Sequence, residues 1–169
     1  IASAWQNALL YTQVQAELGE RIQAEKALLQ SEERFQKAFR SGPVGLSITR
    51  GADGVYLDAN DAFSRIVGFS HEELVGNTSL GLKITTPEQR ERYTGQIRDH
   101  HLIYTEEMTL RSKSGEFRTV LGSMEVIELN HEPCVLSTAI DITERKQMEN
   151  ALRLNEMRFR SLIENGLDN

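Results

Sequence analysis

The residue types able to do chemistry are few in this chain, and their spacing excludes most of it. Histidines stand at His71, His100, His101 and His131, and no pair of them has the spacing of a metal site. His100 and His101 are neighbours on a predicted helix, so they face different ways. Cys134 is the one cysteine; it falls in a predicted strand and reads as a small buried apolar side chain rather than a nucleophile. Gly42, Gly45 and Gly51 lack the spacing of a phosphate-cradling loop or a dinucleotide fingerprint. No metal, no catalytic residue and no enzymatic activity are expected of this fragment.

The chemistry that remains is hydrogen bonding at one short stretch, Asp141-Ile142-Thr143-Glu144-Arg145. Strand-like residues, Val135 to Ile140, lie before it, and a polar helix follows. Thr143 stands where an N-cap belongs, and Glu144 falls in the first turn, where the helix dipole favours an anion. The Asp141 carboxylate is placed to accept from Thr143 or from the orphan amides of the helix start. Arg145 is expected to pair with a carboxylate near the helix root. A sheet therefore ends and a helix leaves within about five residues, and strain in the sheet would be felt at that root. These five residues are the candidate signal-transfer site. The plainer reading is an ordinary strand-to-helix connection.

The surroundings of that stretch occur twice. Aligned without a gap, Glu20–Gly42 and Glu144–Gly166 are identical at ten of 23 positions, among them Arg21/Arg145, Leu28/Leu152, Phe35/Phe159 and Gly42/Gly166. The repeat has the length of a domain, not of a solenoid unit. The same helix leads into a domain at Gly42 and into another at Gly166. The expected organisation is a helical linker over 1–30 (the end of an upstream module), a domain over 31–142, an exit helix over 143–164 and the start of a following domain over 165–169.

Composition bounds the partners. A net charge of −6 argues against a nucleic-acid surface. A lone cysteine excludes an internal disulfide and fits a reducing, cytoplasmic setting. No apolar run approaches the ~18 residues of a membrane span, so no direct membrane contact is expected, although the parent chain could be anchored upstream.

The first 40 residues hold no proline and one glycine, Gly19, and predict a long helix. Tyr11, Val14, Leu18, Ile22 and Leu29 form an apolar seam, which moves to Phe35 and Phe39 further on. A helix some 50 Å long cannot bury such a seam against a domain of this size. The economical cover is the same helix of a second copy, so a parallel homodimer is expected; the alternative is a solvated linker. Ser41-Gly42-Pro43 ends the helix. Val44–Arg50 and Val55–Ala59 predict a hairpin about Gly51-Ala52-Asp53-Gly54. Short helices follow at Ala62–Val67 and His71–Leu74, the second with a Ser70/Glu73 capping box. Thr86-Pro87-Glu88-Gln89 opens a helix running to about His100. Three strands, Tyr104–Ser112, Phe117–Leu129 and Pro133–Ile142, complete an α+β domain.

Taken together these residues resemble the PAS family, in particular the sensory-box modules of bacterial signalling proteins. The resemblance rests on Ala59-Asn60-Asp61-Ala62-Phe63, on Gly68-Phe69-Ser70-His71-Glu72-Glu73-Leu74-Val75-Gly76, on Pro87-Glu88-Gln89-Arg90, on Leu110-Arg111-Ser112-Lys113-Ser114-Gly115 and on Asp141–Lys146. It covers about Ser31 to Lys146. It implies a five-stranded antiparallel sheet with helices folded over one face around a small cavity, an upstream sensor module resembling a GAF domain, and the start of another PAS domain over Asn155–Asn169. Ile84, Thr86 and Ser114 depart from the family pattern, which prefers an aromatic residue at the first position and Asp at the other two.

Alternation puts Leu46, Ile48, Leu57, Met108, Leu110 and Leu136 on the helix-facing side of the sheet, with Phe63, Ile66, Tyr93 and Ile97 above them. These residues read first as core. As a binding site they line a cavity for a small, mainly apolar ligand, with Tyr93, Thr138 and Ser123 as its polar groups. Haem-binding relatives hold iron through a histidine on the long helix, but His100 and His101 lie at its frayed end. Photochemical flavin-binding relatives need a cysteine motif that Asn77–Thr85 lacks. No cofactor is expected beyond a small ligand of unknown identity. The resemblance implies a non-catalytic sensor module, most naturally of a sensor histidine kinase, with adjacent kinase domains as partners. The alternatives are a ligand-free dimerisation spacer and a module of a diguanylate cyclase or phosphodiesterase.

Overall fold

The computed structural model describes residues 2–100 and 102–166. His101 and residues 167–169, with most of the expected start of a following domain, lie outside the described residues. The chain divides into two compact units, Ile1–Arg40 and Ser41–Asn169.

The first unit is helix α1 (Ala2–Ser41), 40 residues without proline. At 1.5 Å per residue it is about 60 Å long. Tyr11, Val14, Leu18, Ile22 and Leu29 are all exposed along it. Phe35, 65% exposed, stacks on the buried Phe39 at 5.9 Å between ring centroids. A single copy of the helix leaves its seam in water.

The second unit holds strands β1 (Gly45–Arg50), β2 (Tyr56–Ala59), β3 (Leu102–Arg111), β4 (Phe117–Leu129) and β5 (Glu132–Asp141). It also holds helices α2 (Asp61–Val67), α3 (His71–Leu74), α4 (Pro87–His100) and α5 (Thr143–Gly166). The strands form one antiparallel sheet in the order β2-β1-β5-β4-β3. Local chemistry sets the element ends. Ser70 and Glu73 form the capping box of α3, through Glu73 N to Ser70 Oγ at 3.3 Å and Ser70 N to Glu73 Oε2 at 3.0 Å. Thr86 and Gln89 exchange the same pair of bonds at the start of α4. Asn130 and His131, both at positive φ, make the two-residue turn between β4 and β5, the twist that matches paired strands.

Asn60 joins these pieces. It is fully buried and caps α2: its Oδ1 accepts from Phe63 N at 2.9 Å and from Leu46 N at 2.9 Å, while its Nδ2 donates to Val44 O at 2.8 Å. One amide side chain thus ties the start of β1 and the end of β2 to the first helix of the domain.

The faces of β1 and β2 are the reverse of the sequence expectation. Gly45, Ser47 and Thr49 face the helices, whereas Leu46 and Ile48 lie half-buried on the other side. Gly45 sets this parity: a Cβ there would stand 2.9 Å from Ile66 Cδ1 and 3.0 Å from Ala139 O, so the backbone itself packs under α2. Ile48 pairs with Leu136, and Leu46 with Thr138, so those two residues of β5 share the outer face. In β2 the register shifts between Ile48 and Thr49, which pair with Asp58 and Tyr56. Leu57 is the extra residue of that bulge and is 36% exposed, while Tyr56 turns inward. The core beneath the helices joins Tyr56, Phe63, Ile66, Val67, Leu74, Ile84, Tyr93, Met108, Leu110 and Val120.

Candidate functional site: an internal cavity and the root of the exit helix

A cavity of about 110 Å³ lies between the sheet and the helices. Its floor is apolar: Met108 and Leu110 from β3, Val120 and Met124 from β4, Val135 and Ala139 from β5. Phe63, Ile84, Tyr93 and Ile97 close it from the helix side. One end is polar, with Ser47 and Thr49 from β1, Tyr56 from β2 and Arg90 from α4.

Of the residues expected at a cavity, Phe63, Tyr93, Ile97, Met108 and Leu110 do line it. Leu46, Ile48, Leu57 and Leu136 do not, because the parity set by Gly45 and the bulge at Leu57 puts them on the outer face or in solvent. Ile66 is buried over Gly45, in the core but not at the cavity. Thr138 borders the cavity, but its side chain is engaged elsewhere: its Oγ1 lies 2.9 Å from Ser123 Oγ and accepts from Ser123 N at 3.2 Å. The polar end therefore comes from Ser47, Thr49, Tyr56 and Arg90, which the sequence reading passed over. The alternation of Ser47 and Thr49 with Leu46 and Ile48 marks two faces, and the close packing of Gly45 under Ile66 turns the polar one inward.

Ser47 is 2%, Thr49 8% and Tyr56 4% exposed. Thr49 and Tyr56 are direct partners across the β1–β2 ladder. Burial pushes the Tyr56 hydroxyl well above its ordinary pKa, with the nearby Arg90 charge opposing, so it stays a neutral donor. Burial likewise raises Tyr93. Arg90 lies over the hairpin at Gly54, which has φ +75; a Cβ there would overlap the guanidinium. Only a residue without a side chain gives Arg90 that position.

At the other end of the domain, Asp141, Ile142 and Thr143 of the expected signal-transfer site form one bonded junction with β4. Asp141 Oδ1 accepts from Thr143 N at 2.9 Å, and Arg118 Nη1 reaches Asp141 Oδ2 at 3.3 Å. Ile142 N donates to Thr119 O at 2.9 Å, and Lys146 N closes the first helical turn on Ile142 O at 2.9 Å. The Thr143 hydroxyl does not cap its own helix, contrary to expectation. It accepts from Thr119 N at 2.9 Å and donates to Thr119 O at 3.4 Å, on β4. The pairing of Asp141 with Val120 carries Thr143 alongside Thr119, and Asp141 takes the helix amide instead. Arg145 pairs with Glu149, one turn along, at 2.9 Å; Glu144 lies in the first turn; and Lys146 Nζ reaches Glu107 Oε1 on β3 at 2.6 Å. The root of α5 is thus bonded to three adjacent strands. Partial burial pushes the Asp141 carboxyl up, but the Thr143 bonds and the Arg118 charge outweigh it and hold it below the ordinary carboxylate range.

Among the described residues, no cluster of three His, Cys, Asp or Glu side chains is placed to hold a metal ion. No helix among them is long and apolar enough to cross a membrane.

Residues 56–139, from β2 to β5, match the family described as the PAS fold. The methyl sulfide methyltransferase-associated sensor of Methanosarcina acetivorans is 30% identical over 151 residues, which is 85% of this chain but 14% of that protein. A sensory box histidine kinase/response regulator structure from Burkholderia thailandensis is 26% identical, with a TM-score of 0.55 over 76% of this chain and 99% of that one. The PAS domain of an HTR-like protein from Haloarcula marismortui shares the fold at 18% identity, with a TM-score of 0.60 over 71% of this chain and 98% of that one. Residues 56–139 belong to the PAS family, and the domain built from β1–β5 and their covering helices has the PAS fold.

Proposed function

We propose that this chain is a non-catalytic input module of a multidomain signalling protein, a sensor histidine kinase, whose kinase and further sensor domains lie elsewhere on the parent chain. Two copies pair through the seam on α1 and through α5. A change in the cavity or the sheet is relayed to the exit helix at Asp141–Arg145. The module works in the cytoplasm, a reading that fits the free, buried Cys134. The sensor named among its relatives and the histidine kinase among its structural neighbours support the choice of parent.

The observation that carries the relay is the junction itself. Thr143 is held by Thr119 of β4 and by Asp141 of β5, so a shift between those strands moves the first residue of α5. Bonds of this kind are each worth about 0.5–1.5 kcal/mol, the scale of a typical coupling of about 1–3 kcal/mol between sites. They are small beside the ~5–15 kcal/mol that holds a domain folded.

The test uses Asp141→Ala and Thr143→Ala in the full parent protein. Melting temperature and kinase output are measured on the same preparations. Output is expected to change in a protein that still melts cooperatively. Wild-type output with a lowered melting temperature would reduce the junction to a structural cap. Pairing is read by light scattering on this chain, where a dimer is expected and a monomer at high micromolar concentration refutes it.

A further inference from the structure

We infer that the cavity takes a short-chain monocarboxylate, its carboxylate at the Arg90 end and its hydrocarbon tail over Met108, Leu110 and Val120. This rests on the reading of the domain as an input module and adds the chemical class of its ligand.

Four observations point to it. First, Ser47, Thr49 and Tyr56 are each more than nine-tenths buried and line the same cavity, and their hydroxyls, which take no part in the side-chain bonds that tie the rest of the fold, have the cavity itself to bond into. Buried polar groups in folded proteins are nearly always bonded, so three such hydroxyls on one wall mark a place where something else supplies the acceptors. Second, the Arg90 guanidinium beside them has no carboxylate or other side-chain partner among the described residues, whereas Arg50 at the same end is already held by Asp53 at 2.9 Å. A half-buried cation that shares a cavity wall with hydroxyl donors, Tyr56 within its field, calls for an anion with several acceptor lone pairs, which a carboxylate provides. Third, the other described cation on the wall, Arg50, is already paired with Asp53, and Ser79, Thr85, Thr94, Ser137 and Thr138 add hydroxyls but no charge, so a second carboxylate would find no cation to pair with, which selects a monoanion over a dicarboxylate. Fourth, about 110 Å³ holds a molecule of roughly four or five non-hydrogen atoms, since a dry protein cavity of about 150 Å³ takes the six of benzene. Propionate has that size, and butyrate is one methylene longer.

The experiment titrates the isolated chain with propionate, butyrate, butyramide and 1-butanol, following backbone amide resonances. Butyrate and propionate are expected to shift the amides of Ser47, Thr49, Tyr56 and Arg90 saturably. Butyramide and butanol should bind at least about tenfold more weakly, the scale of a lost charge-assisted hydrogen bond. Arg90→Gln should erase the preference for the acid, and Arg90→Lys, which keeps the charge, should retain part of it in an equally folded protein. Tyr56→Phe should weaken butyrate several-fold without restoring binding of the amide. Equal or tighter binding of the neutral compounds, unchanged butyrate binding by Arg90→Gln, or no saturable shift at tens of millimolar would each overturn the inference. None of those results touches the relay, which stands or falls on kinase output in the Asp141 and Thr143 variants.

Discussion

The helix-covered face of this sheet is apolar on β3 and β4, as usual, but on β1 the distribution of polarity is reversed. On β1 the helix-covered face carries Gly45, Ser47 and Thr49, and the opposite face carries Leu46 and Ile48. On β5 the outer face carries Leu136 and the 46%-exposed Ile140, while Ser137 lines the cavity. A sheet built for stability alone would place the leucines and isoleucines inside, where each buried side chain contributes about 1.5–3 kcal/mol. Here the interior around β1 gives up that contribution and keeps hydroxyls that line the cavity instead. Such a wall is costly when empty, and that cost is the signature of a site rather than of a core.

This contrast can be broken at several points. The largest effect is expected at Asn60, which anchors the inner face to β1. Asn60→Ala removes a helix cap and leaves Leu46 N and Val44 O without their partner. A loss of about 3 kcal/mol is expected in urea unfolding; a loss below about 1 kcal/mol would mean that the two faces do not depend on this anchor. Next come matched changes on β1. Leu46→Ser on the outer face should cost about 1–2 kcal/mol, whereas Thr49→Val on the inner face should leave stability unchanged or raise it by about 1 kcal/mol, since it deletes a buried hydroxyl that takes no part in the bonds tying the fold. Destabilisation by Thr49→Val equal to that by Leu46→Ser would erase the contrast. The smallest effect is expected at the edge where both faces meet the exit helix. Asp141 titrates below the ordinary carboxylate range in the fold, so its contribution is complete above about pH 4 and is lost as pH falls through the depressed value. Thermal melts from pH 6 downward should show a shallower acid decline for Asp141→Asn than for the wild type, and superimposable acid profiles would show that the junction is not coupled to this proton.

What the sequence made legible follows from the range of the interactions involved. The capping boxes at Ser70/Glu73 and Thr86/Gln89 and the end of α1 near Gly42 are decided within four or five residues, and the structure has them as the sequence predicts. The parity of β1 is decided by Gly45 meeting Ile66 and Ala139, neither of them its neighbour in sequence. Alternation reports that two faces exist, and apolar residues are then assigned inward by default. That default misplaced Leu46, Ile48 and Leu136 and hid Ser47 and Thr49. Leu57 and Tyr56 were exchanged for a related reason, since a bulge shifts the register by one residue without any local mark in the sequence. At the junction, Asp141 was read as an acceptor for Thr143 and is one, while the Thr143 hydroxyl turned to Thr119, a contact that only the β4–β5 pairing creates.

The strand order has a consequence for how the chain is made. Among the described strands, β5 alone joins the β1–β2 hairpin to the β3–β4 hairpin. Its pairing with β1 spans about half the chain, as Gly45↔Ala139 illustrates. During synthesis the two hairpins emerge as separate pieces, each marginal by itself, and the sheet has nothing to close it until residues 132–141 have left the ribosome. Ile142 then passes directly into α5, so the exit helix starts to grow at the moment the sheet is completed. A nascent chain arrested before β5 should stay sensitive to protease along both hairpins, and one arrested past α5 should be protected in a single step. Slow, long-range closure of this kind is what a high contact order imposes. It places the folding checkpoint and the signalling joint at the same few residues.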